Sequence, residues 1–471
     1  MGTQNEQGAV TYDSLLLAVG EVMAKVVDLE VREESNEHGA LFVTAIAGRQ
    51  EKDYMLHEGT GNIGLLYGKR GSMKSLFQGT VTEMSIAARG DMYLISIHAK
   101  TFSSLMDIRK CNFSFQDIAM SSHEMIRFLL EPYPESGAII SIPDVPINRI
   151  YLQYQETTWD FLKRFLSGYG DCLYPDSATQ GIKLRAGLQG QPEKADWDRL
   201  PYMLIRDMPP KDAEKALKGQ VAYVVEAYEI LTLGAHVQFR GKELYVKKIC
   251  RQLKDGLLVN RYYLCFKEGM MRKQYYNPLI SGISVNGAVK AVVRDRIRAQ
   301  LETDVLTTFK EQYFYPYSTV AASSDGSGWY CMPKVGDSIR IFFPVSDEKE
   351  GYAISNIQGE QSPDPASPMG NPDLKDITTP DEKMVKFIEN GILFSVSSGK
   401  GTITLTNDGK AEVRSDESIA VNAAEKIKIE TEGELTLSAG TEIQMTSDQG
   451  CSVTITDDTV EANASIIKAN I

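Results

Sequence analysis

The sequence predicts a mainly β protein: two β-barrels with inserted helices, an OB-fold barrel, and a C-terminal triple-stranded β-helix formed by three intertwined chains. Three observations carry this expectation. Apolar and polar residues alternate around short polar turns from Val26 to Phe266. About five short strands crowd into the ~75 residues from Ile283 to Ile357, which suits a small barrel. Beyond residue 400, pairs of apolar residues return at an unbroken eight-residue period. The expected boundaries are 1–280 for the two barrels, 281–360 for the OB barrel, 361–385 for a Pro-rich linker and 386–471 for the β-helix.

In the first barrels, Val26–Val31 and Gly39–Ala47 flank the polar turn Glu33–His38, and Phe77–Ser85 and Met92–Ala99 flank Ala88-Arg89-Gly90. Both pairs read as hairpins. Met120–Leu130 reads as a helix with Ser121 or Ser122 as cap and Met125, Phe128 and Leu129 on one face. Arg149–Glu156 reads as a strand. Thr157 with Asp160 three positions on then caps a helix whose common face carries Trp159, Leu162, Phe165 and Leu166. Leu244–Ile249 and Tyr262–Phe266 belong to the second barrel. Ala288–Val293, Ile297–Leu301, Ser338–Val345 and Tyr352–Ile357 are the strands expected of the third. The linker contains Pro363, Pro365, Pro368, Pro372 and Pro380, a composition that favours an extended, semi-rigid chain.

The octads are Ile403/Leu405, Ala411/Val413, Ile419/Val421, Ile427/Ile429, Leu435/Leu437, Ile443/Met445 and Cys451/Val453. All 14 positions are apolar or small; at the 42% hydrophobic background of the chain the chance is ~5 in a million. Gly401, Gly409 and Gly433 precede apolar pairs by two residues, where tight corners are expected. Two inward side chains per octad cannot build a core within one chain. A single-chain solenoid would have barely more than two coils of three octads, fewer than the ~3 repeats a stacked fold needs. Three chains, each supplying one face of a prism, bury the apolar pairs on a common axis and leave no lateral edge open. The axial residues are then Ile403, Leu405, Val413, Ile419, Val421, Ile427, Ile429, Leu435, Leu437, Ile443, Met445 and Val453. Seven to ten layers at ~4.8 Å make a rod of roughly 35–50 Å, comparable with a bilayer of ~40–45 Å. From Lys386 to Ile471 there are 14 acidic and 7 basic residues, so a trimeric rod carries about −21 and has no attraction to lipid.

Composition narrows the function classes. The chain has 471 residues, enough for three or four domains, with 42% hydrophobic and 24% charged residues, as in ordinary globular proteins. Its formal net charge is −13, and no segment concentrates Lys and Arg, which argues against nucleic-acid binding. Met1–Glu6 lacks a basic and apolar leader, and no run of about 18 apolar residues occurs, so cytoplasmic assembly without a signal peptide and without stable membrane insertion is expected. Any export then depends on another machine. The six cysteines, at 111, 172, 250, 265, 331 and 451, contain no CxxC pair and read as reduced, mostly buried thiols.

No constellation of catalytic, metal or cofactor residues stands out. The histidines at 38, 57, 98, 123 and 236 have neither HxH nor HxxxH spacing. Gly59–Gly64 fits GxGxxG but lacks a βαβ context and reads as a loop. Carboxylates are abundant without a pair placed for glycoside hydrolysis. Tyr313, Phe314, Tyr315, Tyr317 and Trp329 are expected to pack the barrel, and Cys331 to be a small buried hydrophobe.

Four motifs in order resemble the VgrG family of type VI secretion spikes and the hub–spike proteins of contractile phage tails. Tyr151–Leu162, with Tyr151, Gln153, Tyr154, Glu156, Trp159 and Phe161, resembles the hub motif in which a QYxE strand leads into an aromatic-rich helix. Phe77-Gln78-Gly79-Thr80-Val81 resembles the F-x-G-x-V strand. Trp329, Pro333, Val335, Gly336 and Asp337 fall in a segment resembling the P-x-V-G-D/E signature of the OB barrel, and the octads resemble the spike. The resemblance implies a structural, non-enzymatic homotrimer that caps a hexameric inner-tube protein and adapts threefold to sixfold symmetry. It also implies baseplate partners, a separate PAAR-like tip protein and effector cargo. Residues 358–385 are too short for an inserted lysozyme, and the chain stops about where the rod is expected to end. The competing reading is a single-chain β-helical protein that binds or cleaves polysaccharide.

Overall fold

In the computed structural model, residues 9–57, 61–69, 71–188, 192–193, 197–206, 221–320, 330–355, 373–379 and 381–468 are described. The chain divides into two compact units, Met1–Ile357 and Gln358–Ile471.

The first unit begins with a closed six-stranded barrel of β1 (Leu15–Val19), β2 (Val22–Glu34), β3 (Ala40–Ala47), β4 (Asn62–Lys69), β5 (Ser72–Arg89) and β6 (Met92–Thr101), with α1 (Arg49–His57) between β3 and β4. The strand order is β1-β4-β5-β6-β3-β2, and antiparallel pairing of β1 with β2 closes the ring. Its interior holds Leu17, Val31, Leu41, Leu65, Phe77 and Ile95, all fully buried; each such side chain contributes about 1.5–3 kcal/mol. The GxGxxG segment departs from expectation: Asn62–Gly64 opens β4 rather than a loop, while Gly59 and Thr60 lie outside the described residues. Gly79 of the F-x-G-x-V strand has a steric reason. A Cβ there would sit 2.0 Å from the Lys100 carbonyl oxygen on β6.

A helical insert follows: β7 (Lys110–Phe115), α2 (Ser122–Leu130), β8 (Gly137–Ile140), β9 (Tyr151–Thr157), α3 (Thr158–Ser167), β10 (Leu173–Pro175) and β11 (Lys183–Ala186). Ser121 caps α2 through a full capping box with Glu124, and the Thr157 side chain accepts from the Asp160 backbone N–H at the start of α3.

The second barrel comprises β12 (Pro192–Glu193), β13 (Tyr202–Arg206), β14 (Val221–Ala227), β15 (His236–Phe239), β16 (Lys242–Lys254) and β17 (Leu257–Cys265), in the order β13-β14-β17-β16-β15-β12. It is nearly closed: among the described residues β13 and β12 do not pair. Five of its strands repeat the first barrel, because β13, β14, β15, β16 and β17 follow one another in space and in antiparallel sense as β2, β3, β4, β5 and β6 do. The sixth differs, since β12 is short and parallel to β15, whereas β1 is antiparallel to β4. One sheet joins the barrels, with β2 pairing antiparallel to β16 from Glu30↔Gln252 to Glu34↔Lys248. The buried Arg251–Glu33 ion pair, 3.0 Å, fastens that seam.

The OB barrel is β18 (Ile283–Val293), β19 (Arg296–Leu301), β20 (Tyr315–Pro316), β21 (Ser338–Phe343) and β22 (Tyr352–Ser355), ordered β20-β19-β18-β21-β22, with a parallel bridge Tyr317↔Ala353 across its ends. Its core contains Val289, Ile297, Tyr315, Ile341 and Phe343, together with Ile150 and Leu152 from the segment that leads into α3.

The second unit has two antiparallel meanders. One is β23 (Lys375–Thr378), β24 (Met384–Ile388), β25 (Gly391–Val396), β26 (Gly401–Thr406) and β27 (Ala411–Ser415); the other is β28 (Ile443–Thr446), β29 (Ser452–Ile455) and β30 (Val460–Asn463). Of the expected linker 361–385, residues 361–372 and all five prolines lie outside the described residues, and Lys375–Thr378 is strand. Residues 416–442, which hold three whole octad pairs, form no strand within the chain. A strand needs a hydrogen-bonded neighbour, and a single chain supplies none there. Of the three corner glycines only Gly409 has a left-handed backbone, φ +87°; Gly401 opens a strand and Gly433 has ordinary φ. The thiols also depart from expectation. Cys172 and Cys265 are buried, Cys111 and Cys250 are half-buried, and Cys331 and Cys451 are exposed.

Candidate functional site

Two features carry functional geometry, one in each unit. In the second unit the register of the first meander aligns apolar side chains on one sheet face. Ile377 stands opposite Val385, Val385 opposite Phe394, Phe394 opposite Ile403, and Ile403 opposite Val413. A second row runs Phe387, Ile392, Leu405, Ala411. In the other meander Met445, Val453 and Ala462 align in the same way. Such rows belong to a core, since strand side chains alternate between faces.

These faces are bare within one chain. Ile403, Leu405, Val413, Ile419, Val421, Ile427, Ile429, Leu435, Leu437 and Met445 are exposed, Val421 by 69%, and only Ile443 and Val453 are half-buried. An exposed apolar surface of this extent marks an association surface. The period in the sequence identified these positions; their pairing within each meander was not legible from it.

In the first unit the QYxE strand and its helix form a buried junction with the OB barrel. Tyr151, Gln153, Glu156, Trp159 and Phe161 are buried, and Tyr154 is half-buried. Phe161 stacks on Phe115 at 5.6 Å, and the rings of Tyr151 and Phe165 meet edge to face at 5.2 Å. The Gln153 side-chain amide donates to the Glu156 carbonyl, 2.9 Å, shaping the entry to α3. Arg164 on α3 is the centre of the junction. It donates through Nε and Nη2 to Glu156, 3.0 and 2.9 Å, through Nη2 to the Leu152 carbonyl, 3.0 Å, and through Nη1 to Glu348 of the OB barrel, 2.6 Å. Glu348, 1% exposed, also accepts from the Leu152 backbone N–H and from Arg149, which pairs with Asp347 as well.

Burial pushes the Glu156 carboxyl above its usual range, opposed by Arg164. Burial pushes Arg164 down, and the carboxylates of Glu348 and Glu156 outweigh it, so the guanidinium stays charged. A second polar contact ties the same two parts together. Asp304 accepts from Ser114, from the Gln116 amide and from the Leu301 backbone N–H, 2.8 Å.

His38, in the turn between β2 and β3, stacks on Trp159 with centroids 4.3 Å apart and shares a hydrogen bond with Ser103, 2.9 Å. Burial lowers its pKa to about 4, although Asp107 acts the other way. A histidine depressed in the fold stabilises it fully above the unfolded pKa near 6.5 and loses that contribution as pH falls toward 4. The expected loss across that window is about 3 kcal/mol. Melting temperatures of the chain and of His38→Gln between pH 7 and 4 check this: the variant has the shallower acid slope.

In the OB motif, Pro333, Val335, Gly336 and Asp337 form the turn into β21. Gly336 takes φ +98°, and Asp337 accepts from the Lys334 backbone N–H at 2.7 Å. Val335 is exposed rather than in the core, and Trp329 lies outside the described residues. Tyr315 is fully buried and Phe314 lies under Arg298 at 4.2 Å, so neither offers a face for stacking on sugars. Cys331, expected to be buried, is exposed at the mouth of this turn because the segment before β21 runs outside the barrel.

No family model and no curated protein matches the sequence. Solved structures do. A chain of the Francisella PdpA-VgrG complex, in its lidded state, aligns with a TM-score of 0.55 at 8% identity over 85% of this chain and 79% of that one; the half-lidded state gives 0.52, again at 8% identity, over 85% and 87%. The E. coli protein c3393 aligns at 0.51 with 12% identity over 72% of this chain and 98% of that one. That protein is described as a component of the type VI secretion system with structural similarity to the T4 bacteriophage tail proteins gp27 and gp5.

The fold is that of VgrG-type hub–spike proteins. Within that fold Arg164 sits where the helical insert meets the OB barrel, and the octads lie in the second unit. Arg164, Glu348, Arg149 and His38 escaped the sequence reading. Arg164 carried a faint signal, since it lies on the turn of α3 that also carries Phe161 and Phe165, facing the apolar side.

Proposed function

We propose that three copies of this chain form the hub and spike of a contractile injection system. The carrying observation is the unpartnered apolar face of the second unit, continued through octads that have no strand partner in their own chain. Three such faces turned inward make a dry prism, and the strands of 416–442 gain neighbours from the other two chains. The two hub barrels, alike in five strands, let a trimer present six similar units to a hexameric inner-tube protein.

The role is mechanical. Sheath contraction drives the tube, the trimer leads and punctures the target envelope, and the prism resists buckling. Baseplate proteins, a PAAR-like tip protein and effector cargo are the partners in this reading, and no catalytic step, metal or cofactor belongs to it. The polysaccharide-acting solenoid finds less support. Its coils stack parallel strands, whereas every strand pair in the second unit is antiparallel among the described residues.

Quantitative mass spectrometry of purified particles tests the role. The expected ratio is three copies of this chain to each six of the terminal tube ring, with no tube assembly when the chain is deleted. Intact tubes assembled without it would refute the reading, and so would turnover of peptidoglycan or acidic glycans by the purified chain.

A further inference from the structure

The seam between the two barrels of one chain is a template for a second seam between chains. At the observed seam β16 is shared. One of its edges pairs with β17; the other is taken by β15 at Lys242–Tyr245 and then by β2 at Lys248–Gln252. In the first barrel β5 is its counterpart. One edge of β5 pairs with β6, and the other is taken by β4 only as far as Thr80, so among the described residues Glu83–Arg89 have no neighbour there. The counterpart of β2 is β13, which pairs with β14 on one edge and with nothing described on the other.

Bulges and pairings fix the correspondence residue by residue. The β5 bulge between Val81 and Glu83 matches the β16 bulge between Val246 and Lys248. Val81 faces Ala99, which faces Leu41, which faces Val31; in the second barrel Val246 faces Leu264, which faces Tyr223, which faces Leu204. Leu204 therefore stands where Val31 does. Val31 pairs with Arg251, three residues past Lys248, and the residue three past Glu83 is Ile86.

We infer that β13 of one copy pairs antiparallel with the free edge of β5 in a second copy, with Leu204 opposite Ile86, Ile205 opposite Ser85 and Arg206 opposite Met84. The side chains suit this. Met203 and Leu204 are 57% and 55% exposed on an edge strand with no proline and a single charge, Arg206, at its end, so little protects it from pairing. Repeated head to tail, the contact alternates with the intrachain seam, and a heterologous contact of this kind closes into a ring. The number of copies, three, rests on the spike reading; the strand contact does not.

The test uses the full chain with Cys331→Ser and Cys451→Ser, to which Ser85→Cys and Ile205→Cys are added together. A short bifunctional maleimide should convert most of it to a covalent trimer on a denaturing gel, with either single addition as background. The off-register pair Ser85→Cys with Leu204→Cys points to opposite sheet faces and should link several-fold less. Equal linking by both pairs, or a covalent dimer as end product, overturns the inference. No linking in a sample whose native mass is three chains overturns the strand contact alone, whereas a native mass of one chain overturns the trimer as well.

Discussion

Leu435→Asp is expected to abolish the spike while leaving the hub folded. In the proposed trimer Leu435 of each chain would face a common axis, so one substitution would bring three carboxylates together in a dry interior. Each uncompensated buried charge costs several kcal/mol, which makes ~10 kcal/mol or more per trimer, comparable with the whole stability of a domain. Calorimetry of the full chain should lose the transition of the second unit and keep that of the first, and limited proteolysis should cut beyond residue 386. Ile427→Asp should behave alike. Within one chain Leu435 is 55% exposed, so an isolated chain would tolerate Asp there at almost no cost. A stable Leu435→Asp trimer with an unchanged melting curve would remove the residue from the axis.

The second large effect is expected of Arg164→Leu. Its guanidinium is shared between Glu156 and Glu348, both buried, and it also binds the Leu152 carbonyl. Removing it strands two carboxylates in a low-dielectric junction, at about 3–5 kcal/mol. Denaturant titration of the full chain should show the hub transition shifted by that amount. The triple variant Arg164→Leu, Glu156→Gln, Glu348→Gln should recover most of it, because no charge is then left unpaired. Equal losses in the single and triple variants would mean that packing of the Arg164 stem, rather than charge, holds hub to OB barrel.

The features legible in the sequence were those with a period or a local cap. Alternation located β2, β3, β5 and β6, the Ser121 and Thr157 caps located α2 and α3, and the octads located the bare apolar positions of the second unit. Three kinds of feature were not legible. Arg164 and Glu348 are 184 residues apart in sequence, and nothing local marks a long-range ion pair. The likeness of the two barrels lies in strand order and register, carried by main-chain hydrogen bonds that many side chains satisfy equally well. Cys331 is exposed, and its apolar character says nothing of which side of a turn it occupies.

The native mass of the purified full chain, measured by light scattering as it elutes from a sizing column, bears most directly on whether the octads need partners. Three times 52.3 kDa, about 157 kDa, is the expected result. A homogeneous species at 52.3 kDa with a cooperatively folded second unit would contradict it, because the apolar faces would then be stable in water on a single chain.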